Sequence, residues 1–230
     1  GIRGVVIGPV RHNNPAFALD WDAFSAVSCG ADFYAPPVHK ILVLGSVRLA
    51  WQMAFHHGYR RIGMCAWLHE KGSLHDAVRI GDFSALSLYW KNIVEPVPLL
   101  LDHDPESLVA WYHRYRPDVV IGLIPQCADW LRANGIRIPE DTAYVSLLGS
   151  PAGSGLASCD ERNAEVGSIA FDLCEQMVCS NTRGLPRHRQ AIYVRPGWNP
   201  GASLPRIGES GGTVSPIEPG PDIELQLEAL

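Results

Sequence analysis

The chain has 230 residues, of which 47% are hydrophobic and 19% are charged, and its formal net charge is −5 with a pI near 6.0. This composition supports a large buried core, and the acidic balance argues against direct binding of a phosphate backbone, which favours clustered basic surfaces. No apolar run approaches the ~18 residues that cross a bilayer, and the N-terminal residues lack the pattern of a signal peptide. We therefore expect a cytoplasmic protein without a membrane partner.

Eight short apolar runs recur along the chain, with helical patterns between them. Most of these runs are apolar at consecutive positions, which is typical of strands that are covered on both faces in a parallel sheet. The predicted strands lie at 5–7, 25–28, 40–44, 62–67, 97–101, 119–123, 143–148 and 191–194.

Helical patterns with clear start and stop signals separate several of these runs. One helix is predicted over 46–57. A second begins after Asp104, whose carboxylate is a good N-cap, and it ends before Pro117. A third begins near Asn163 and repeats apolar residues on one face. Alternating strands and helices predict a doubly wound α/β architecture with parallel sheets between helices.

The six cysteines, at 29, 65, 127, 159, 174 and 179, form no C-x-x-C pair. Histidines at zinc-finger spacing are also absent from the sequence, so neither a metal site nor a redox motif is indicated. We predict free buried thiols, and we expect no metal and no cofactor.

The segment 134–148, NGIRIPEDTAYVSLL, is the most informative stretch of the chain. A helical pattern stops at Gly135, a polar turn led by Pro139 follows, and an apolar run then begins, which is how a helix passes to a buried strand. The segment resembles the G-x-x-x-P-E-D-x-x-V motif in the effector-binding domain of the LacI/GalR family of bacterial transcription regulators.

Further segments resemble motifs of the same family, in the same order along the chain. They are 55–63 (FHHGYRRIG), 78–86 (VRIGDFSAL), 116–120 (RPDVV) and 166–170 (VGSIA). Asp82 replaces a glycine of the family motif in the second of these segments. Each motif alone is weak, but their order and spacing over about residues 4–198 make the resemblance fairly specific.

The resemblance implies a periplasmic-binding-protein-like fold of two lobes with a small ligand in the cleft between them. Residues 1–61 with 159–183 would form the first lobe, and 62–158 with 184–198 the second. It also implies that 4–9 correspond to the third strand of the first lobe, so that lobe would be truncated and residues 5–7 would lie at a sheet edge. Residues 199–230 are rich in Pro and Gly and are predicted to be a disordered tail.

The function implied by the resemblance is that of the ligand-sensing and dimerisation domain of a LacI-type regulator. The expected partners are a small-molecule effector, with a sugar among the candidates, a second copy of the chain, and operator DNA through a headpiece not in this chain. One alternative is a solute-binding protein of a transport system. The other is an α/β enzyme, although the sequence contains no nucleophile elbow, P-loop or dinucleotide fingerprint.

Arg79 is the first candidate ligand-binding residue, because it occupies the position whose arginine faces the cleft in the family. A planar guanidinium binds vicinal hydroxyls or a carboxylate through paired hydrogen bonds. The alternative is a surface arginine that pairs with Asp76 or Asp82 along its helix.

Trp67, His69 and Gln126 are the other candidates, because Trp67 ends a predicted strand and the other two each follow one. An indole stacks on an apolar ring surface, while imidazole and carboxamide groups supply hydrogen bonds. The turn at 147–150, LLGS, lacks the acidic residue of sugar-binding relatives, and Ile124 with Pro125 replaces an expected polar pair. These departures argue against a classical sugar effector.

Overall fold

A computed structural model describes residues 1–9, 19–30, 37–68, 74–102 and 104–207 of the chain. The α-helices in these residues are α1 Ser46–His56, α2 Leu74–Tyr89, α3 Pro105–Tyr115, α4 Gln126–Ala133 and α5 Asn163–Cys179. The strands are β1 Gly4–Ile7, β2 Ser25–Cys29, β3 His39–Val43, β4 Ile62–Ala66, β5 Leu100–Leu101, β6 Val119–Gly122, β7 Ala143–Ser146, β8 Ala157–Asp160, β9 Ala191–Val194 and β10 Gly197–Asn199. None of the described helices is long and apolar enough to span a membrane.

The described residues form two compact units. The first contains residues 1–46, 68–81 and 161–196, and the second contains 47–67, 82–160 and the described residues from 197 onward. Each unit has its own sheet, and the predicted α/β fold with parallel sheets flanked by helices is confirmed.

The sheet of the first unit has four strands in the order β1-β2-β3-β9, and all of them are parallel. Helix α5 packs on β1, β2 and β3, and its apolar side chains Val166, Ala170 and Met177 share a core with Val27 and Ile41. In the described sheet β1 pairs with β2 alone and forms an edge, as expected for residues 5–7.

The sheet of the second unit has six strands in the order β10-β8-β7-β6-β4-β5, parallel except for β10. Alternate residues of its central strands point to two separate cores, because side chains of a strand alternate between the faces. On one face Met64 and Val145 pack with Trp51 of α1. On the other face Tyr144 packs with Leu131 of α4. This two-sided burial accounts for the consecutive apolar residues of the sequence.

The cap of α3 agrees with its sequence signals. The Asp104 carboxylate accepts a hydrogen bond from the Ser107 amide at 2.8 Å, and Pro105 is the first helical residue. Arg116 ends the helix in the left-handed conformation, with φ of 45°, directly before Pro117.

The predicted strands are all present, although the run at 97–101 is reduced to Leu100–Leu101. Two strands were not predicted, namely β8 and β10. Their segments are only four and three residues long, and neither carries a strong apolar pattern.

The lobe boundaries implied by the resemblance differ from those of the two units at 47–61, 68–81, 159–160 and 184–196. Strand β9 pairs with β3 and so belongs to the first sheet, whereas 184–198 were assigned to the second lobe. Helix α1 buries Trp51 and Phe55 in a core of the second unit, whereas 1–61 were assigned to the first lobe. The positions of β9 and α1 depend on packing between distant segments, which local patterns do not record.

The predicted tail begins later than residue 199. Residues 200–207 pack on the second unit, and Leu204 is 2% exposed. The Leu204 carbonyl lies 3.0 Å from His57 Nδ1, and the Tyr59 hydroxyl donates to the Pro205 carbonyl at 2.8 Å. Burial lowers the pKa of His57, which favours its neutral form at this contact. The remainder of the predicted tail, 208–230, lies outside the described residues.

Ser203 attaches this segment to the sheet. Its hydroxyl donates to the Tyr144 carbonyl at 2.7 Å and accepts from the Ala157 amide at 2.9 Å, so it bridges β7 and β8. The residue is 3% exposed, and both backbone partners are buried with it.

Replacing Ser203 with alanine should leave two buried backbone groups without their partner. We expect the free energy of unfolding of the second unit to fall by about 1–3 kcal/mol, measured by urea denaturation with tryptophan fluorescence. Ser84→Ala is the control, because Ser84 is exposed on α2 and its loss should change the value by less than about 0.5 kcal/mol. Equal effects of the two variants would contradict the bridging role.

Gly122 provides a second test of the core. A Cβ atom at this position would lie 2.0 Å from the Tyr144 hydroxyl oxygen, which is fixed by its hydrogen bond to the Ile124 carbonyl. We expect Gly122→Ala to lower the free energy of unfolding by about 1–3 kcal/mol through overpacking. Gly167→Ala on the exposed face of α5 meets no atom within 4 Å and should instead raise it by about 0.5–1 kcal/mol. Differential scanning calorimetry of both variants checks that the free energy of unfolding changes in opposite directions.

Candidate ligand-binding site

Arg79 lies in the second turn of α2, and its side chain is 14% exposed. Its guanidinium forms an ion pair with Asp76 at 3.8 Å, and the Asp76 side chain is 5% exposed. The spacing of three residues places both groups on one face of the helix. Asp82 pairs instead with Arg48 at 3.4 Å. The Arg79 side chain is therefore largely shielded from solvent, and its ion pair with Asp76 is longer than a hydrogen bond.

The charges around Arg79 set its electrostatic character. Burial lowers the pKa of Arg79, and the carboxylates of Asp76 and Glu161 oppose this effect. An arginine remains protonated under such conditions, because its ordinary pKa is above 12.

Trp67 and Gln126 lie at the carboxyl edge of the six-stranded sheet. Trp67 follows β4, is partly buried and packs against both cores of the second unit. Gln126 is the first residue of α4 and is exposed. Because β4 and β6 are neighbouring parallel strands, the structure brings these two predicted residues to the same edge. Such edges are the usual ligand-binding positions of open α/β sheets.

His69 lies outside the described residues, so its predicted role stays a prediction. The turn at 147–150 contacts the segment 156–158: Ser150 Oγ lies 3.0 Å from Ser158 Oγ and donates to the Leu156 carbonyl at 3.2 Å.

The sequence did not predict a role for Ser146, which lies at the carboxyl end of β7. Its hydroxyl is buried without a hydrogen-bond partner among the described residues. A serine within the apolar run of β7 is the sequence signal that marks it.

The two units, each a largely parallel sheet with helices, define a periplasmic-binding-protein-like α/β fold. Three solved structures illustrate the similarity. CelR, a transcriptional regulator in complex with cellobiose, has a TM-score of 0.66 and 20% identity over 87% of this chain and 65% of that chain. A LacI-family regulatory protein from Chloroflexus aggregans has a TM-score of 0.65 and 21% identity, over 86% of this chain and 75% of that chain. A LacI transcriptional regulator from a Rhodococcus species has a TM-score of 0.67 and 14% identity, over 88% of this chain and 78% of that chain.

No protein-family profile matches the sequence, and no curated protein matches it. The similarity to solved structures, at 14–21% identity, therefore shows the fold and not the activity. At the level of the fold, the predicted resemblance to LacI-type regulators is confirmed. The chain spans less than two thirds of CelR.

Proposed function

We propose that this chain is the ligand-sensing domain of a LacI-type transcription regulator and that it binds a small effector through Arg79. The observation that carries the proposal is the state of the Arg79 guanidinium, which is mostly buried and whose ion pair with Asp76 spans 3.8 Å. An arginine has five N–H donors, and a separation of 3.8 Å is longer than a hydrogen bond. These donors can therefore bind the polar groups of a ligand.

The proposed effector is a neutral molecule rich in hydroxyl groups. The carboxylates of Asp76 and Glu161 act on Arg79, and their negative charge disfavours a phosphate or carboxylate ligand close to them. A hydroxyl group both donates and accepts, so it can bind the guanidinium and a neighbouring carboxylate together. The cellobiose in the CelR complex belongs to this chemical class.

Trp67 and Gln126 are the other proposed ligand-binding residues. The partly buried indole of Trp67 offers an apolar face of the kind that stacks on a sugar ring. The exposed carboxamide of Gln126 can both donate to and accept from hydroxyl groups. Their common position at the carboxyl edge of β4 and β6 supports this assignment.

We further propose a homodimer that binds operator DNA through a headpiece outside this chain. The similar solved structures are transcription regulators, which favours this function over transport or catalysis. The net charge of −5 fits a sensor domain that does not itself grip DNA. Effector binding and DNA binding would then change each other's affinity by the same factor.

The test is a binding comparison between Arg79→Ala and the unmodified chain. A thermal-shift panel of neutral mono- and disaccharides, cellobiose included, with galacturonate and glucose 6-phosphate as anions, identifies the ligand. Calorimetry then measures its dissociation constant. We expect a neutral ligand, and we expect Arg79→Ala to weaken its binding by about 1.5–3 kcal/mol, or about 10- to 150-fold.

Arg48→Ala is the matched control, because Arg48 is 53% exposed and pairs with Asp82. Its affinity for the same ligand should be unchanged. An unchanged affinity of Arg79→Ala would return Arg79 to a purely structural role. A panel in which the anions alone raise the melting temperature would contradict the proposed ligand class.

A further inference from the structure

The amino ends of the strands in the first sheet carry a cluster of exposed cations. Its members, here called the basic edge, are Arg3, Arg183, Arg187 and Arg189. Arg3 directly precedes β1, and its carbonyl accepts a hydrogen bond from the Ser25 amide, at the start of β2, at 2.8 Å. The Gly184 amide donates to the Phe24 carbonyl at 3.1 Å, so Arg183 also lies beside the start of β2.

Arg187 and Arg189 lie in the segment beside the start of β3. The Lys40 amide donates to the Gln190 carbonyl at 3.0 Å, and the Gln190 amide donates to His39 Nδ1 at 3.1 Å. Because β1, β2, β3 and β9 are parallel, their amino ends share one edge of the sheet. The basic edge is therefore one surface of the first unit, although Arg3 is far from the other three arginines in the sequence.

The positive charge of the basic edge exceeds the negative charge close to it. Within the part of the chain that the structure describes, none of the four guanidinium groups forms an ion pair with a carboxylate. Two carboxylates, Asp20 and Asp22, directly precede this edge before β2. Residues 180–198 contain no acidic residue. Four guanidinium groups against two carboxylates leave an excess of exposed cations.

This distribution refines the expectation drawn from the total charge. A net charge of −5 opposes strong binding of a polyanion by the chain as a whole, but the charge is not spread evenly. A planar guanidinium binds two phosphate oxygens at once, and an array of arginines matches the repeated phosphates of a nucleic-acid backbone.

We propose that the basic edge contacts the phosphate backbone of duplex DNA. The proposal rests on the proposed function for its setting: a headpiece joined before Gly1 would leave the domain at this edge, because Arg3 directly precedes β1. The headpiece would read the operator sequence, and the basic edge would add contacts that do not depend on sequence. The chain alone then binds DNA weakly and in a strongly salt-dependent manner, because its total charge is negative.

The test is fluorescence anisotropy of the chain with a labelled duplex of arbitrary sequence, about 30 base pairs long. We expect saturable binding in about 20 mM NaCl, with a dissociation constant on the order of 10–100 μM. The logarithm of the binding constant should fall with the logarithm of the salt concentration with a slope of about −2 to −4, as expected for about two to four phosphate contacts.

Arg187→Glu combined with Arg189→Glu should weaken this binding by more than about tenfold and bring the slope closer to zero by about 2. Lys91→Glu combined with Arg114→Glu is the matched control, because it changes the net charge equally at two exposed residues of the second unit. We expect the control to weaken binding by less than about threefold. Circular dichroism confirms that each variant is folded, and Arg3→Glu with Arg183→Glu replaces the first pair if that variant unfolds.

Absence of binding at low salt overturns the proposal, and so does an equal loss of affinity in the two double variants. Competition by poly-glutamate as effective as that by unlabelled duplex would assign the basic edge to an acidic protein segment instead of DNA. The sugar-binding assay does not involve these arginines. A failure here therefore leaves the proposed sensor function standing, and a failure there does not alter the measured DNA contact.

Discussion

Burial of β4, β6 and β7 on both faces is the constraint on which the rest of the second unit depends. Every residue of these strands is buried, and alternate side chains enter two different cores. Two apolar faces must both be covered, so α1 packs on one face and α3 with α4 on the other. The parallel order of β4 to β7 follows, because α2, α3 and α4 each connect two strands of this sheet that run in the same direction.

The same constraint determines where chemistry is possible. Within the central strands nearly all side chains are apolar, so polar and accessible groups are confined to the strand ends. Trp67 directly follows β4, Gln126 begins the helix that follows β6, and Ser146 ends β7. The carboxyl edge of this sheet is therefore a candidate ligand-binding surface.

Much of this fold could be predicted from the sequence, because two-sided burial leaves a local signal. The apolar runs of β4, β6 and β7 and the cap at Asp104 are visible within a few residues. Strand β10 and Ser203 gave no such signal, since each depends on partners about 40 or more residues away. The position of Arg79 was predicted from a motif, but its burial beside Asp76 emerges only in the folded helix.

Native-state hydrogen exchange measures the central constraint directly. Amides of β6 and β7 have paired strands on both sides and covered faces, whereas β1 and β9 are edges of the described first sheet. The structure predicts that β6 and β7 exchange most slowly, at a rate set by global unfolding of their unit. It predicts much faster exchange in β1 and β9. Exchange of β6 and β7 as fast as that of these edge strands would contradict a second unit built around a sheet with two cores.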